Sequence, residues 1–204
     1  MEAAFFICAA LSYEEKAMMT TSFTKPAHFP AMAGNDILKD HFQDLVNYIN
    51  WADHLAITWL EQINDEQWNQ VVISSFGSVR QTALHIAGAK KIWLDFWKNE
   101  DDPVYLSAEF TGTKDELIAI WKQASADVKD LIDNYPAKHY NAPINIIKPN
   151  GEQSTMEFRK TLSHMVNHGT YHRGQLVTLL RQAGSTGFSN TDLFTYYSLQ
   201  LDKS

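Results

Sequence analysis

The stretch HMVNHGTYHRGQL, residues 164–176, decides how the chain is read. Residues four apart lie one turn apart on the same face of an α-helix, so His168 and His172 share a face. His164 continues their row. The spacing predicts a long helix from about Thr155 to Gln182, opened by a Ser154/Glu157 capping box and stopped at Gly184. Just upstream, Asn145 to Lys148 and Gln153 to Met156 flank Pro149-Asn150-Gly151, which signals a short β-hairpin. Downstream, Asn190 to Leu199 read as a short final helix or turn. Further out, Leu38, Phe42, Leu45, Ile49, Ala52, Ala56 and Leu60 recur at helical spacing from Ile37 to Ile63, with Asn35 and Asp36 placed to cap the start. A loop over 71–77 leads to a second helix that Ser78 and Gln81 open, with an inward stripe of Gln81, His85, Gly88/Ala89, Ile92 and Phe96. It ends near Asn99. A third helix starts at the Thr113/Glu116 capping box and stops at Pro136. Four long helices joined by connections of varied length predict an all-α fold: an antiparallel four-helix bundle over 35–204, with the hairpin before its last long helix and a short C-terminal helix.

Composition narrows the function. The 204 residues include 17 Lys+Arg and 24 Asp+Glu, for a net charge of −7, with eight histidines and one cysteine. A negative balance argues against nucleic acid as a partner, because that affinity rests on neutralising phosphates. No apolar run reaches the roughly 18–20 residues of a membrane span. A single cysteine makes no internal disulfide, and the expected location is the cytoplasm. Residues 1–34 read as a poorly ordered leader, with Met18 and Met19 as alternative starts to Met1. Ala3 to Leu11 faintly resemble an export signal but lack its basic flank, and a docked N-terminal arm is the remaining reading. Cys8 falls in this leader and is no credible catalyst.

The histidines sort by helical face. His168 and His172 point two imidazoles one way, and His85, on the inward stripe of the second helix, is placed to face them. Three imidazoles leave at least one coordination position open, the pattern of a catalytic metal site. The competing reading is three hydrogen-bonded core histidines, which burial makes costly unless each finds partners. His164 drifts around the axis and is expected behind the ligands or lining the pocket; the alternative makes it a ligand in place of His172. His28, His41, His54 and His139 read as solvated. Asp53, beside the apolar stripe of the first helix, either orients a ligand histidine or reaches water. Gln175 is expected to hydrogen-bond within the pocket, and Arg173 to pair with an acid between helices. Tyr171 is a candidate pocket residue, whereas Trp51, Trp93 and Trp97 read as core. Gly174 marks a close helix crossing or room for substrate.

Beyond these patterns, HMVNHGTYHRGQLVTLLRQAG (164–184) resembles the C-terminal signature of the DinB family of metal-dependent proteins. NYINWADHLAITWL (47–60) is similar to that family's opening pattern, with Asp53 where an Asn is usual. Phe76 to Arg80 with Leu84-His85-Ile86 resembles its second-helix segment, and TGFSNTDLFTYY (186–197) its closing one. The resemblance implies a four-helix bundle, often a homodimer, with a divalent metal held by His85, His168 and His172.

Such a site activates water, giving a hydrolase, or a thiol, giving a thiol S-transferase that acts on a small molecule with a low-molecular-weight thiol. No glutamate stands between His168 and His172, which argues against a zincin protease. His164 is then the candidate base. Zinc or nickel is the expected metal, imidazole being compatible with several ions. The alternative is a non-catalytic, stress-related bundle that binds a metal or small ligand.

Overall fold

The computed structural model describes residues 34–201; the expectations for the leader, including Cys8 and His28, lie outside the described residues. Four long helices carry the fold: α1 (Gly34–Gln62), α3 (Val79–Lys98), α5 (Lys114–Asn134) and α6 (Phe158–Gln182). Between them lie the short helices α2 (Asp65–Asn69) and α4 (Leu106–Glu109), and a two-stranded antiparallel hairpin of β1 (Pro143–Ile147) and β2 (Gln153–Glu157). Helix α7 (Leu193–Leu201) follows. This is the expected all-α bundle with its hairpin and C-terminal helix.

Chemistry at the helix ends explains most boundaries. The Ser78 hydroxyl accepts the Gln81 N–H at 3.1 Å and opens α3. Thr113 and Glu116 form a full capping box for α5. Asn99 takes a left-handed conformation, φ 55°, that turns the chain out of α3, and Gly184, φ 84°, does the same after α6. Helix α1 already includes Asn35 and Asp36, so Asp36 favours the helix dipole from the first turn rather than capping it. The Ser154/Glu157 capping box does not form. Ser154 is paired with Ile146 in the hairpin, which runs on until Glu157 faces Pro143. The first turn of α6 instead finds backbone acceptors: Phe158 donates to the Ala142 carbonyl and Arg159 to that of Tyr140, both at 2.9 Å. An unpredicted capping box, Asn64 with Gln67, opens α2.

Each of α1 and α3 packs against both α5 and α6, so α1 and α3 face one another diagonally. Bonds along the helices fix their directions. Gln43 reaches Asp133, and Lys122 pairs with Glu61, so α1 and α5 run oppositely. Trp97 donates to Thr161, and His85 meets His168 and His172, so α3 and α6 also run oppositely. Lys90 bonds Ser125 while Lys98 faces Asp127, so α3 and α5 run the same way. Their connection must therefore return along the bundle. Helix α4 presses it against α3 at Gly88, where an added Cβ would stand 3.5 Å from Leu106 Cβ.

With α4, α5 and α6 around it, α3 buries Thr82, Ala83, Ile86, Ala87, Lys90, Leu94 and Trp97. The predicted inward stripe is thereby corrected. Gln81 is exposed, and His85, Ala89 and Ile92 are half-buried. The apolar core falls into two clusters, one around Leu60, Trp121 and Leu180, the other around Ile49, Phe158 and Leu162. Between them lies a belt of polar side chains.

Candidate metal centre

One half of the belt is ionic. Asp53 from α1, Lys90 from α3 and Arg173 from α6 are nearly inaccessible to water. Asp53 accepts from Lys90, from Arg173 Nη1 at 3.0 Å, from the Trp121 indole at 3.0 Å and from Ser125 at 3.3 Å. Arg173 also donates to Tyr48 Oη at 3.2 Å and Thr170 Oγ1 at 3.1 Å. Burial alone would raise the Asp53 pKa, but two cations and the bonds from Lys90 and Trp121 hold it below the usual value. Burial pulls Lys90 below its ordinary value, against the pull of Asp53. Arg173 thus pairs with an acid, as its position predicts. Asp53 is corrected on both expectations: it neither accepts from a ligand histidine nor reaches water.

The other half is the histidine cluster. Among the described residues, His85, His168 and His172 offer ligand atoms that all lie within 4.8 Å of one another. His85 Nε2 stands 2.9 Å from His168 Nε2 and 3.2 Å from His172 Nε2. Three nitrogens about 2.0–2.1 Å from one tetrahedral ion would be separated by about 3.3 Å, so a small widening of both His85 separations suits a zinc-sized cation. Tautomers point the same way. The Gln175 Oε1 carbonyl accepts from His172 Nδ1 at 2.7 Å, which leaves a lone pair on His172 Nε2. His85 Nε2 has one proton at most, so it cannot donate to both neighbours. Lone pairs then face one another until a cation takes them, and the group could hold a metal ion. Burial chiefly, then the charges on its neighbours His172, His85 and His164, brings the His168 pKa down to about 3. Burial and His172 lower that of His85. His85 and His168 are therefore held toward the neutral form a ligand needs.

The other candidates sort differently. His164 is exposed, its ring 5.5 Å from those of His168 and Trp93, so it flanks the three histidines without joining them. Tyr171 is 62% exposed, with its ring edge-on to His172 at 4.9 Å; it stands outside the bundle. Gly174 is exposed and a Cβ there would meet nothing within 4 Å among the described residues, so no described helix crosses at that point. Trp97 is core, whereas Trp51 and Trp93 are half-buried. His41, His54 and His139 are exposed, as predicted.

Phe76 and Lys90 carry roles that the sequence reading missed. The Phe76 ring stacks on His85 at 4.3 Å and meets His172 edge-on at 5.4 Å, fixing both imidazole planes. Its signal lay in being the one aromatic in the loop before Ser78. Lys90 sits at helical spacing from Ile86 and Leu94, a cation inside an apolar row.

Comparison with known proteins adds relatives. The DinB family model matches residues 35–200. The chain is similar to Protein DinB of Bacillus subtilis, 26% identical over 154 residues that cover 72% of this chain and 88% of that one. Its fold resembles a DinB-like protein from Bacillus cereus, with TM-score 0.59 at 18% identity, covering 74% of this chain and 95% of the other. It also resembles a crystal structure described as a putative DinB member from Exiguobacterium sibiricum, with TM-score 0.53 at 16% identity, covering 79% and 100% of the two chains. At such identities the structures speak for the fold alone. No described helix is long and apolar enough to cross a membrane.

Proposed function

The chain belongs to the DinB family, and from that premise we propose that it is a divalent-metal-dependent enzyme in which His85, His168 and His172 hold one ion, zinc or nickel, for water or thiol chemistry. One observation carries the reading. Three imidazoles from two helices bring ring nitrogens within 4.8 Å of one another, and Gln175 fixes His172 in the tautomer that leaves Nε2 free. Bound there, a divalent ion lowers the pKa of a water to about 7 or deprotonates a thiol. Three protein donors leave at least one position open for either.

The chain's own part is to orient and to exclude. Gln175 holds the His172 ring from behind, and its carbonyl raises the basicity of the free nitrogen. Phe76 keeps water off one face of His85. The salt bridge from Arg173 to Asp53 anchors α6 at the residue next to His172. His164, exposed on the flank of His168, is placed to take a proton to solvent. The reading includes a small-molecule substrate, with a low-molecular-weight thiol as co-substrate in the transferase form. It also includes a homodimer in the cytoplasm; exposed Phe194 on α7 offers apolar surface for such a partner.

Metal analysis of the purified chain, with ester and amide hydrolysis and thiol conjugation assayed with and without chelator, tests this. One ion per chain and a chelator-sensitive activity are expected. A His168→Ala/His172→Ala variant with unchanged metal content would sink the ligand assignment. A saturated site inactive in every assay would favour a binding protein.

A further inference from the structure

A cleft of about 190 Å³ adjoins the histidine cluster, between the loop after α2 and the C-terminal half of α6. Ser74, Phe76, Gln175, Thr178 and Gln182 line it, with Ile73 at its edge. Two of these side chains also touch the histidines: Gln175 accepts from His172, and Phe76 stacks on His85. The cleft and the cluster therefore share a wall.

Among the described residues, none that lines it is charged. The polar groups on offer are uncharged and partly free. Gln175 spends its carbonyl on His172 and keeps both amide N–H donors. Ser74 Oγ accepts the Gly77 N–H at 3.0 Å and keeps its O–H to donate. Thr178 donates to the Gly174 carbonyl at 3.2 Å and keeps lone pairs to accept. Ile73 and the nearby Val71 project from the loop with almost nothing covering them, a pair of apolar side chains with no part in the core. The cleft offers a carboxylate or ammonium no counter-charge, whereas an amide or hydroxyl finds partners.

We propose that this cleft binds the body of the substrate, an uncharged molecule carrying amide or hydroxyl groups and an apolar portion, with its reacting end at the three histidines. The inference rests on the metal-site reading above, and the test separates the two. The full chain is loaded with Co(II) and titrated with N-acetylcysteamine, a neutral thiol, and with 2-mercaptoethanesulfonate, an anionic one of matched length, following the cobalt–thiolate absorption band. The neutral thiol is expected to bind about tenfold tighter. Thr178→Lys, which places a cation in the cleft wall, is expected to shift the preference toward 2-mercaptoethanesulfonate with the Co(II) stoichiometry unchanged. Full cobalt loading with equal binding of the two thiols, and no response to Thr178→Lys, would overturn the proposal while leaving the metal site standing. If the chain takes up no cobalt, the metal-site reading fails by itself. The side-chain amide NMR signals of Gln175 and Gln182 then read the cleft in the metal-free chain. Saturable shifts with N-acetylcysteamine support it, and unmoved signals overturn it.

Discussion

Asp53 and His168 line the same small cavity, of about 10 Å³, yet they belong to polar groups of opposite character. Asp53 sits among donors: two cations, an indole and a hydroxyl converge on one carboxylate. His168 sits among its own kind, with nitrogens facing nitrogens and too few protons to go round. The Asp53 carboxylate is answered from within the protein, although Arg173 Nε beside it finds no acceptor. The histidine group, half-buried at His85 and His168, could be answered by a metal ion. Buried polarity alone therefore does not mark a site; a set of ring nitrogens short of protons is the better sign.

The largest effect should come from breaking the ionic half. Asp53→Ala strands Lys90 and Arg173 in the core and is expected to cost about 3–5 kcal/mol, read by urea unfolding. Lys90→Met keeps the Asp53–Arg173 pair and should cost clearly less. Equal losses would mean that the network is not centred on Asp53.

The histidine half should respond through its ligand instead. Gln175→Ala is expected to weaken metal binding about 10–100-fold while barely moving the stability of the metal-free chain, by chelator competition and thermal melting. An unchanged affinity would leave the His172 tautomer without a keeper.

Acid should then distinguish the halves. The folded His168 value, about 3, lies below its ordinary 6.5. Between those values the unfolded chain binds more protons, so the metal-free protein should lose stability as pH falls from 6.5 toward 3. The stability from Asp53 is present above its ordinary 3.8 and goes only as pH falls through its own lower value. Urea midpoints measured from about pH 7.5 to about pH 4 should decline more steeply in the parent than in His168→Ala; parallel curves would remove His168 as the cause. Smallest of all, Tyr171→Ala should change stability by less than about 0.5 kcal/mol, since its ring stands in solvent.

How much of this was legible follows from how local each signal is. The helical period and single-residue caps placed α3 and α5 almost to the residue, because Ser78, Thr113, Asn99 and Pro136 act within one turn. The start of α6 was misplaced because its donors are satisfied by the carbonyls of Tyr140 and Ala142, partners that no local window holds. The three histidines were readable because their helical phase is strict and their chemistry rare. The stripe of α1 leaves Asp53 between a ligand histidine and water, because its actual partners come from α3, α5 and α6. Lys90 gives no local signal, since a lysine on a helix usually reaches water.

The Asp53 network also acts as a ruler. It joins one point on each of the four long helices, through Asp53, Lys90, Trp121 with Ser125, and Arg173. Leucine and alanine surfaces tolerate a helix sliding by one turn, about 5.4 Å, because one apolar contact resembles the next. A carboxylate with four specified donors does not. Any slip of α6 against α1 parts Arg173 from Asp53, and any slip of α3 parts Lys90. The same two helices carry His172 and His85, so the alignment of the three nitrogens is set by a bond that none of them makes.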